Sequence, residues 1–183
     1  MKREEALTLL YEYTDTESLR KHAYAVEAAM RAYAGKYGES KELWGAVGLI
    51  HDFDYEKYPD EHPAKGNDIL TERGISEDIR TVIMGHAEFT GVPRDTLMAK
   101  SLFAVDELCG FIIAVTLVRP DKSVSGVSVK SVKKKMKDKR FAAKVNRNEI
   151  RKGAEELGVE FDEHVTFVVN ALSGVADNIG LNP

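Results

Sequence analysis

The segment Ser40–Asp52, with the sequence SKELWGAVGLIHD, decides the fold more than any other part of the chain. Ser40 is a favoured N-cap residue, so a helix is expected to begin directly after it. Apolar residues follow at helical spacing, at Leu43, Trp44, Val47 and Ile50. The stripe then runs into His51 and Asp52, which are polar. The segment therefore predicts an amphipathic helix that carries a histidine to the edge of the core.

Helical spacing of apolar residues extends over most of the chain, whereas the two-residue alternation of a β-strand is nearly absent. Helices are expected over residues 3–13, 16–37, 40–51, 63–71, 76–86, 94–118, 131–146, 148–157 and 162–177. The stretch 123–129, SVSGVSV, is interpreted as a brief strand or a connection. The predicted fold class is all-α.

Composition favours an ordinary globular protein, because 43% of the 183 residues are hydrophobic and 31% are charged. We expect a single domain over residues 1–183. The only cysteine, Cys109, is interpreted as a small buried side chain in a reducing compartment. The beginning MKREEALTLLYEY is unlike a signal peptide, and the longest apolar stretch, Leu108–Val118, is too short to cross a bilayer. We therefore expect a cytoplasmic protein without a membrane partner.

Charge is distributed unevenly along the chain. Residues 130–152 hold 11 of the 26 Lys and Arg residues but only two acids, Asp138 and Glu149, although the whole chain has a net charge of −4. A solvated helix face or a mobile hairpin explains such a block, since no aromatic residues are interleaved to stack on bases. Contact with a phosphate-rich partner, nucleic acid included, is the alternative.

Polar residues interrupt the apolar stripes of four predicted helices, at His22, His51, His86 and Asp106. Each of these side chains is expected to point inward. Burying one unpaired polar group costs about 1–3 kcal/mol, and an isolated carboxylate costs more. A core imidazole bonded to a backbone carbonyl explains any one histidine alone, but a shared divalent cation explains all four residues together. Asp52 adds a second carboxylate beside His51.

This ordered set resembles the HD-domain superfamily of metal-dependent phosphohydrolases, in which a leading histidine, a His-Asp doublet and a later aspartate occupy separate helices. The resemblance covers about residues 19–115, a little over half of the chain. It implies a compact helical bundle with a central metal site. By similarity, one metal ion would be bound by His22, His51, Asp52 and Asp106.

Two further histidines, His62 and His86, match positions that hold a second metal or contact phosphate in one branch of the superfamily. The resemblance thus implies one or two divalent ions, among Mn, Fe, Co, Ni, Zn and Mg. It also suggests an HD-like core over residues 15–120 and a basic helical extension over residues 121–183. The remaining histidine, His164, matches no role and is interpreted as structural.

Catalytic and substrate-binding residues are expected near the doublet. The sequence HDFDYEK departs from the pattern of many family members and places Asp54 and Glu56 on either side of Tyr55. The catalytic residues are expected to be Asp52, which also binds metal, and Asp54, which is preferred over Glu56 for proton transfer because it is closer to the doublet. The alternative is that either acid only solvates the loop. The nearby cations are either phosphate ligands or solvated surface charges. They are Arg20, Lys21, Lys57 and Lys65.

The expected activity is hydrolysis of a phosphomonoester or phosphodiester, on a small nucleotide-like molecule, by a metal-activated water. The six-ligand arrangement also resembles the di-iron oxygenases of the same superfamily. A non-catalytic sensor or scaffold that binds a nucleotide is an alternative of a different class. Neither the substrate, the metal nor the oligomeric state follows from the sequence.

Overall fold

The structure, a computed structural model, describes residues 1–182. Ten α-helices occur in this part of the chain: α1 (Arg3–Tyr13), α2 (Glu17–Tyr37), α3 (Lys41–Ile50), α4 (Ala64–Glu72), α5 (Glu77–Met84), α6 (Leu97–Leu117), α7 (Val129–Met136), α8 (Arg147–Leu157), α9 (Phe161–Ser173) and α10 (Ala176–Ile179). Short 3-10 turns lie at Glu88–Thr90 and Val124–Gly126, and residues 1–182 contain no strand. The all-α prediction is confirmed.

Helices α2 and α6 form the centre of the bundle. Helix α2 packs along α3 on one side and along α6 on another, and α8 and α9 cover further faces of α6. Glycines allow two of these contacts to be close. A Cβ at Gly48 of α3 would lie 3.1 Å from the backbone of Glu27 in α2, and one at Gly153 of α8 would lie 2.6 Å from Cα of Ala104 in α6. The close packing places the end of α3 beside α2.

Cap residues explain where two of the central helices begin. The hydroxyl of Ser40 accepts a hydrogen bond from the backbone N–H of Leu43 at 3.2 Å, as the sequence predicted. The long helix α6 starts at Leu97, three residues later than expected, because Thr96 caps it by accepting from the N–H of Ala99 at 3.1 Å. Arg94, expected inside that helix, instead donates hydrogen bonds to Glu88 and Glu156.

The helix expected over residues 131–146 is only half as long, and this prediction was wrong. Helix α7 ends at Met136, and residues 137–146 form turns. The carbonyl groups of these turns are bound by the Arg147 guanidinium, which donates to Asp138, Phe141, Ala142 and Val145. A side chain therefore satisfies backbone acceptors that helical N–H groups would otherwise bind.

Two smaller expectations near the carboxyl end can be compared with the structure. Of the two interpretations of residues 123–129, the structure shows the connection, with a 3-10 turn at Val124–Gly126 before α7 begins at Val129, and the N–H of Val124 donates to the carbonyl of Leu181 at 3.1 Å. The last expected helix divides into α9 and α10, with Gly174 and Val175 between them.

The core includes the two polar side chains that the sequence interpreted as structural. Cys109 is fully buried. Its burial and, to a smaller extent, the charge of Asp106 raise the pKa of its thiol well above the ordinary value. His164 is 1% exposed, with Nε2 donating to the carbonyl of Ala104 at 2.9 Å and Nδ1 accepting from the hydroxyl of Tyr33. Among residues 1–182, no helix is long and apolar enough to span a membrane.

Candidate metal centre

Four helices and the turns after them bring the candidate ligands together. His22 lies in α2, Asp106 lies in α6, and His51 and Asp52 directly follow α3. His62 lies in the turn before α4, and His86 lies two residues after the end of α5. Their side chains form two clusters, and within each cluster the possible ligand atoms lie within 4.8 Å of one another. The first ligand group comprises His22, His51, Asp52 and Asp106, and the second comprises Asp52, His62 and His86.

Distances in the first ligand group suit a divalent cation. Oδ1 of Asp106 lies 3.0 Å from Nε2 of His22 and 3.3 Å from Nε2 of His51. Oδ2 of Asp52 lies 3.4 Å from Nε2 of His51 and 4.0 Å from Nε2 of His22. With ligand bonds of about 2.1 Å, adjacent octahedral ligands are about 3.0 Å apart and opposite ones about 4.2 Å. The four observed distances, from 3.0 to 4.0 Å, fall within this interval.

The second ligand group is centred on the other oxygen of Asp52. Oδ1 of Asp52 lies 3.0 Å from Nε2 of His86 and 3.2 Å from Nε2 of His62, and the two imidazole nitrogens are 3.2 Å apart. Asp52 therefore presents one oxygen to each ligand group.

Backbone and carboxylate acceptors orient three of the four imidazoles. Nδ1 of His51 donates to the carbonyl of Gly48 at 2.8 Å, and Nδ1 of His86 donates to the carbonyl of Ile83. Nδ1 of His62 donates to Oδ1 of Asp54 at 2.8 Å. Because each Nδ1 donates to a fixed acceptor, Nε2 is the nitrogen of each ring that can bind a metal ion.

His51 gives the clearest indication that something binds in this space. Its residue is 0% exposed, yet Nε2 has no hydrogen-bond partner among the described residues. An unsatisfied buried polar atom costs about 1–3 kcal/mol, and most buried nitrogens avoid this cost. A cation bound to Nε2 would remove it.

Electrostatics in the cluster follow from burial and close opposite charges. Burial alone would lower the pKa of His51, but the charges of Asp52 and Asp106 override it and raise that pKa well above its ordinary value. Likewise, burial opposes the charged form of His62, but its bonds to Asp52 and Asp54 raise its pKa to about 9. The imidazoles lower the pKa of both Asp52 and Asp106 against the effect of burial. Protonated imidazoles thus balance the negative charges of the carboxylates, and a bound cation would displace the protons from these imidazoles.

Asp54, expected to transfer protons, is placed to orient His62. The residue is 1% exposed. Oδ1 accepts from Nδ1 of His62, and Oδ2 accepts from the backbone N–H of Gly66, both at 2.8 Å. Both oxygens are thus engaged and buried, and the role of Asp54 in proton transfer stays a prediction.

Gly66 belongs to the site and was missed at the sequence level. A Cβ at this position would lie 2.7 Å from Cγ of Asp54 and 2.9 Å from each carboxylate oxygen. Only glycine therefore lets the carboxylate approach the first turn of α4 and accept its N–H. The available signal was a glycine inside a predicted helix, where glycine lowers helix stability by about 1 kcal/mol relative to alanine.

Arg20 and Lys21 lie in α2 directly before His22, but their charged groups contact residues outside the ligand groups. Nε of Arg20 donates to the carbonyl of Thr14 at 2.6 Å, and its guanidinium lies over the ring of Tyr11. Nζ of Lys21 pairs with Glu17 at 2.6 Å. The structure does not bring either cation to the ligand groups, and their substrate-binding role stays a prediction.

Lys57 and Lys65 flank the turn that carries His62. Nζ of Lys57 donates to the carbonyl of Glu12 at 2.6 Å, and Nζ of Lys65 lies 5.7 Å from the centre of the Tyr58 ring. These contacts also lie outside the two ligand groups. A role in binding phosphate would require both side chains to change partners, so it too stays a prediction.

Comparisons with protein-family models, with curated proteins and with solved structures found no match to this chain. The site is therefore characterised by its own geometry. Six residues from separate parts of the bundle present four imidazole nitrogens and two carboxylates to one space, in two groups that share Asp52. This arrangement could hold a metal ion.

Proposed function

We propose that the protein is a metal-dependent phosphohydrolase that acts on a phosphomonoester or phosphodiester of a small, nucleotide-like molecule. The observation that carries the proposal is the position of Asp52, whose two oxygens face two different groups of ligand atoms. The resemblance of the His, His-Asp and Asp pattern to the HD-domain superfamily supports the reaction class.

Exposure of the ligands supports access for a substrate. The side chains of Asp52, His22 and Asp106 are 27%, 19% and 16% exposed, whereas His51 is fully buried at 0%. His51 would thus anchor the centre from the core side, and the other three residues would form its open side. An open coordination position is what distinguishes a catalytic metal site from a structural one.

Bound divalent ions would lower the pKa of a coordinated water and stabilise the charge of the phosphoryl oxygens. The chain's own residues then have defined tasks. Asp52 holds the two ligand groups at a fixed separation, and Asp54 fixes the orientation of His62. The carbonyls of Gly48 and Ile83 keep the protons of His51 and His86 away from the centre.

A di-iron oxygenase is the second candidate, favoured by the nitrogen-rich set of four histidines and two aspartates. Elemental analysis of freshly purified protein, followed by a panel of phosphoesters with and without oxygen, separates the two reactions. We expect metal-dependent release of phosphate that does not require oxygen. Bound iron with oxygen consumption and no phosphate release would favour the oxygenase. Tight nucleotide binding without turnover would favour a non-catalytic sensor.

Asp52→Asn tests the site assignment with little change in volume. We expect turnover to fall at least about 100-fold, because the amide cannot supply two anionic oxygens to cations. Asp60→Asn is the matched control, since Asp60 is an exposed acid in the same turn. Helical content measured by circular dichroism should stay the same in both variants. Equal activity of Asp52→Asn and Asp60→Asn would reject the proposed centre.

A further inference from the structure

The basic block noted in the sequence has no task in the proposed centre, and its most exposed part is a surface loop. We define the basic arm as residues 137–144, which carry Lys137, Lys139, Arg140 and Lys144. All four side chains are exposed, and none of them forms an ion pair within the described part of the chain. The one acid of the arm, Asp138, accepts a hydrogen bond from the N–H of Arg140 at 3.0 Å.

The arm is a built loop rather than a loose solvated segment. Arg147 holds it by donating to the carbonyls of Asp138 and Ala142, at 3.2 and 2.9 Å, and to those of two further residues. The same guanidinium lies over the ring of Phe111, 5.3 Å from its centre. These contacts hold the backbone of the arm before any ligand binds, which lowers the entropic cost of binding one.

The arm is attached to the helix that carries Asp106. The residues that link the arm to α8 contact α6, because the N–H of Asn146 donates to Oε2 of Glu107 at 3.1 Å, and Glu107 is the residue after Asp106. Within the arm, the ring of Phe141 packs edge-on against Phe111 of the same helix, with centroids 5.6 Å apart. Helix α6 thus connects the arm to the candidate metal centre.

Charge elsewhere on the chain makes this position distinctive. Residues 130–152 hold 11 of the 26 basic residues and two of the 30 acids, which leaves 15 basic and 28 acidic residues for the rest of the chain. An anion that approaches the protein is therefore repelled by most of the chain and attracted at the arm.

We propose that the basic arm binds a second phosphate of the substrate while the metal centre binds the first, so that the substrate class is a small polyphosphorylated anion. This inference rests on the proposed phosphohydrolase function. A compact anion fits better than nucleic acid, because nucleic-acid interfaces cover at least about 600 Å² of protein surface and would extend onto the acidic remainder.

Calorimetric binding of adenosine mono- and triphosphate to the manganese-loaded protein tests the inference, with manganese in excess over nucleotide. The arm variant is Lys137→Ser, Lys139→Ser and Arg140→Ser combined. We expect the unmodified protein to bind the triphosphate at least about tenfold more tightly than the monophosphate, and the arm variant to lose this preference. Affinity for the monophosphate should stay within about twofold, and the preference should weaken with added salt.

The matched control removes three exposed lysines outside the arm, by Lys36→Ser, Lys41→Ser and Lys122→Ser. We expect this variant to retain the preference for the triphosphate. If the control and the arm variant lose it equally, net charge explains the effect and the inference is overturned. Full retention by the arm variant overturns it as well. If the arm variant loses binding to a single-stranded DNA oligonucleotide but keeps the triphosphate preference, the inference is overturned in favour of a nucleic-acid contact.

Hydrolysis of p-nitrophenyl phosphate by the same proteins separates the two proposals. Hydrolysis by the arm variant at the unmodified rate, together with the lost triphosphate preference, supports both the function and the arm. Hydrolysis with an unchanged preference overturns only the inference about the arm. A preference that depends on the arm, in a protein that hydrolyses no phosphoester, overturns the proposed function but supports phosphate binding by the arm.

Discussion

His51 and His164 are both buried imidazoles in the same helical bundle, yet their surroundings differ in electrostatic character. In His164 both ring nitrogens have neutral partners, and burial lowers the pKa. In His51 one nitrogen binds the carbonyl of Gly48 and the other has no partner, while Asp52 and Asp106 raise the pKa against the effect of burial. Burial alone therefore does not identify a metal ligand. A buried nitrogen without a partner, beside carboxylates, indicates a candidate ligand.

The largest expected difference between the two histidines is in metal binding. His51→Ala should lower the affinity for manganese at least about 100-fold, because it removes a ligand from the core side of the centre. Calorimetric titration of the metal-free protein measures the change. His164→Ala should bind manganese as the unmodified protein does, and equal losses in the two variants would contradict the assignment.

Removal of His164 should instead lower stability. His164→Ala leaves the carbonyl of Ala104 and the hydroxyl of Tyr33 without their partner. We expect the free energy of unfolding of the metal-free protein to fall by about 2 kcal/mol or more. Urea unfolding measures the loss, and an unchanged free energy of unfolding would contradict the structural role of His164.

A smaller effect is expected where a ligand is displaced rather than removed. Gly66→Ala places a Cβ against the carboxylate of Asp54 and so disturbs the acceptor that orients His62. We expect about tenfold weaker binding at the second ligand group and little change at the first. Metal titration should then show a stronger and a weaker ion. Ala64→Ser, at an exposed position of the same helix, is the control, and identical titrations of the two variants would show that Asp54 does not position His62.

The smallest effect concerns pH. The pKa of His164 in the folded protein lies below its ordinary value of 6.5 because burial disfavours the charged form. Below pH 6.5 the unfolded chain takes up this proton first, so the stability contributed by neutral His164 is complete above that pH and is lost as pH falls toward the folded-state pKa. The stability advantage of the metal-free unmodified protein over His164→Gln should therefore shrink with acidification. A constant difference in urea unfolding would contradict this.

Much of the fold and part of the site were predictable from helical periodicity. Apolar spacing predicted the central helices, and the same register singled out His22, His51, His86 and Asp106 as interruptions of apolar stripes. Residues on the inner faces of packed helices converge, and the structure brings these four side chains into the two ligand groups. His164 also interrupts an apolar stripe, but the structure gives it hydrogen-bond partners. Register therefore predicts burial and not ligation.

The parts that sequence reasoning missed depend on contacts between distant residues or on turn geometry. The prediction that His62 belongs to the site rested on the family resemblance, because the turn that contains His62 has no periodic pattern. The positioning role of Asp54 requires the N–H of Gly66, twelve residues later. The early end of α7 depends on Arg147, which binds the carbonyls of the following turns. Local propensity carries no information about such partners.

Gly48 links the architecture of the bundle to the chemistry of the candidate centre. The hydrogen at its Cα allows α3 to rest against the α2 backbone at Glu27, and its carbonyl oxygen fixes which His51 nitrogen carries the proton. Loosening the interface between these helices would move the acceptor together with the helix that carries it. The tautomer of His51 thus depends on interhelical packing, so a substitution at Gly48 would change the stability of the bundle and the candidate centre together.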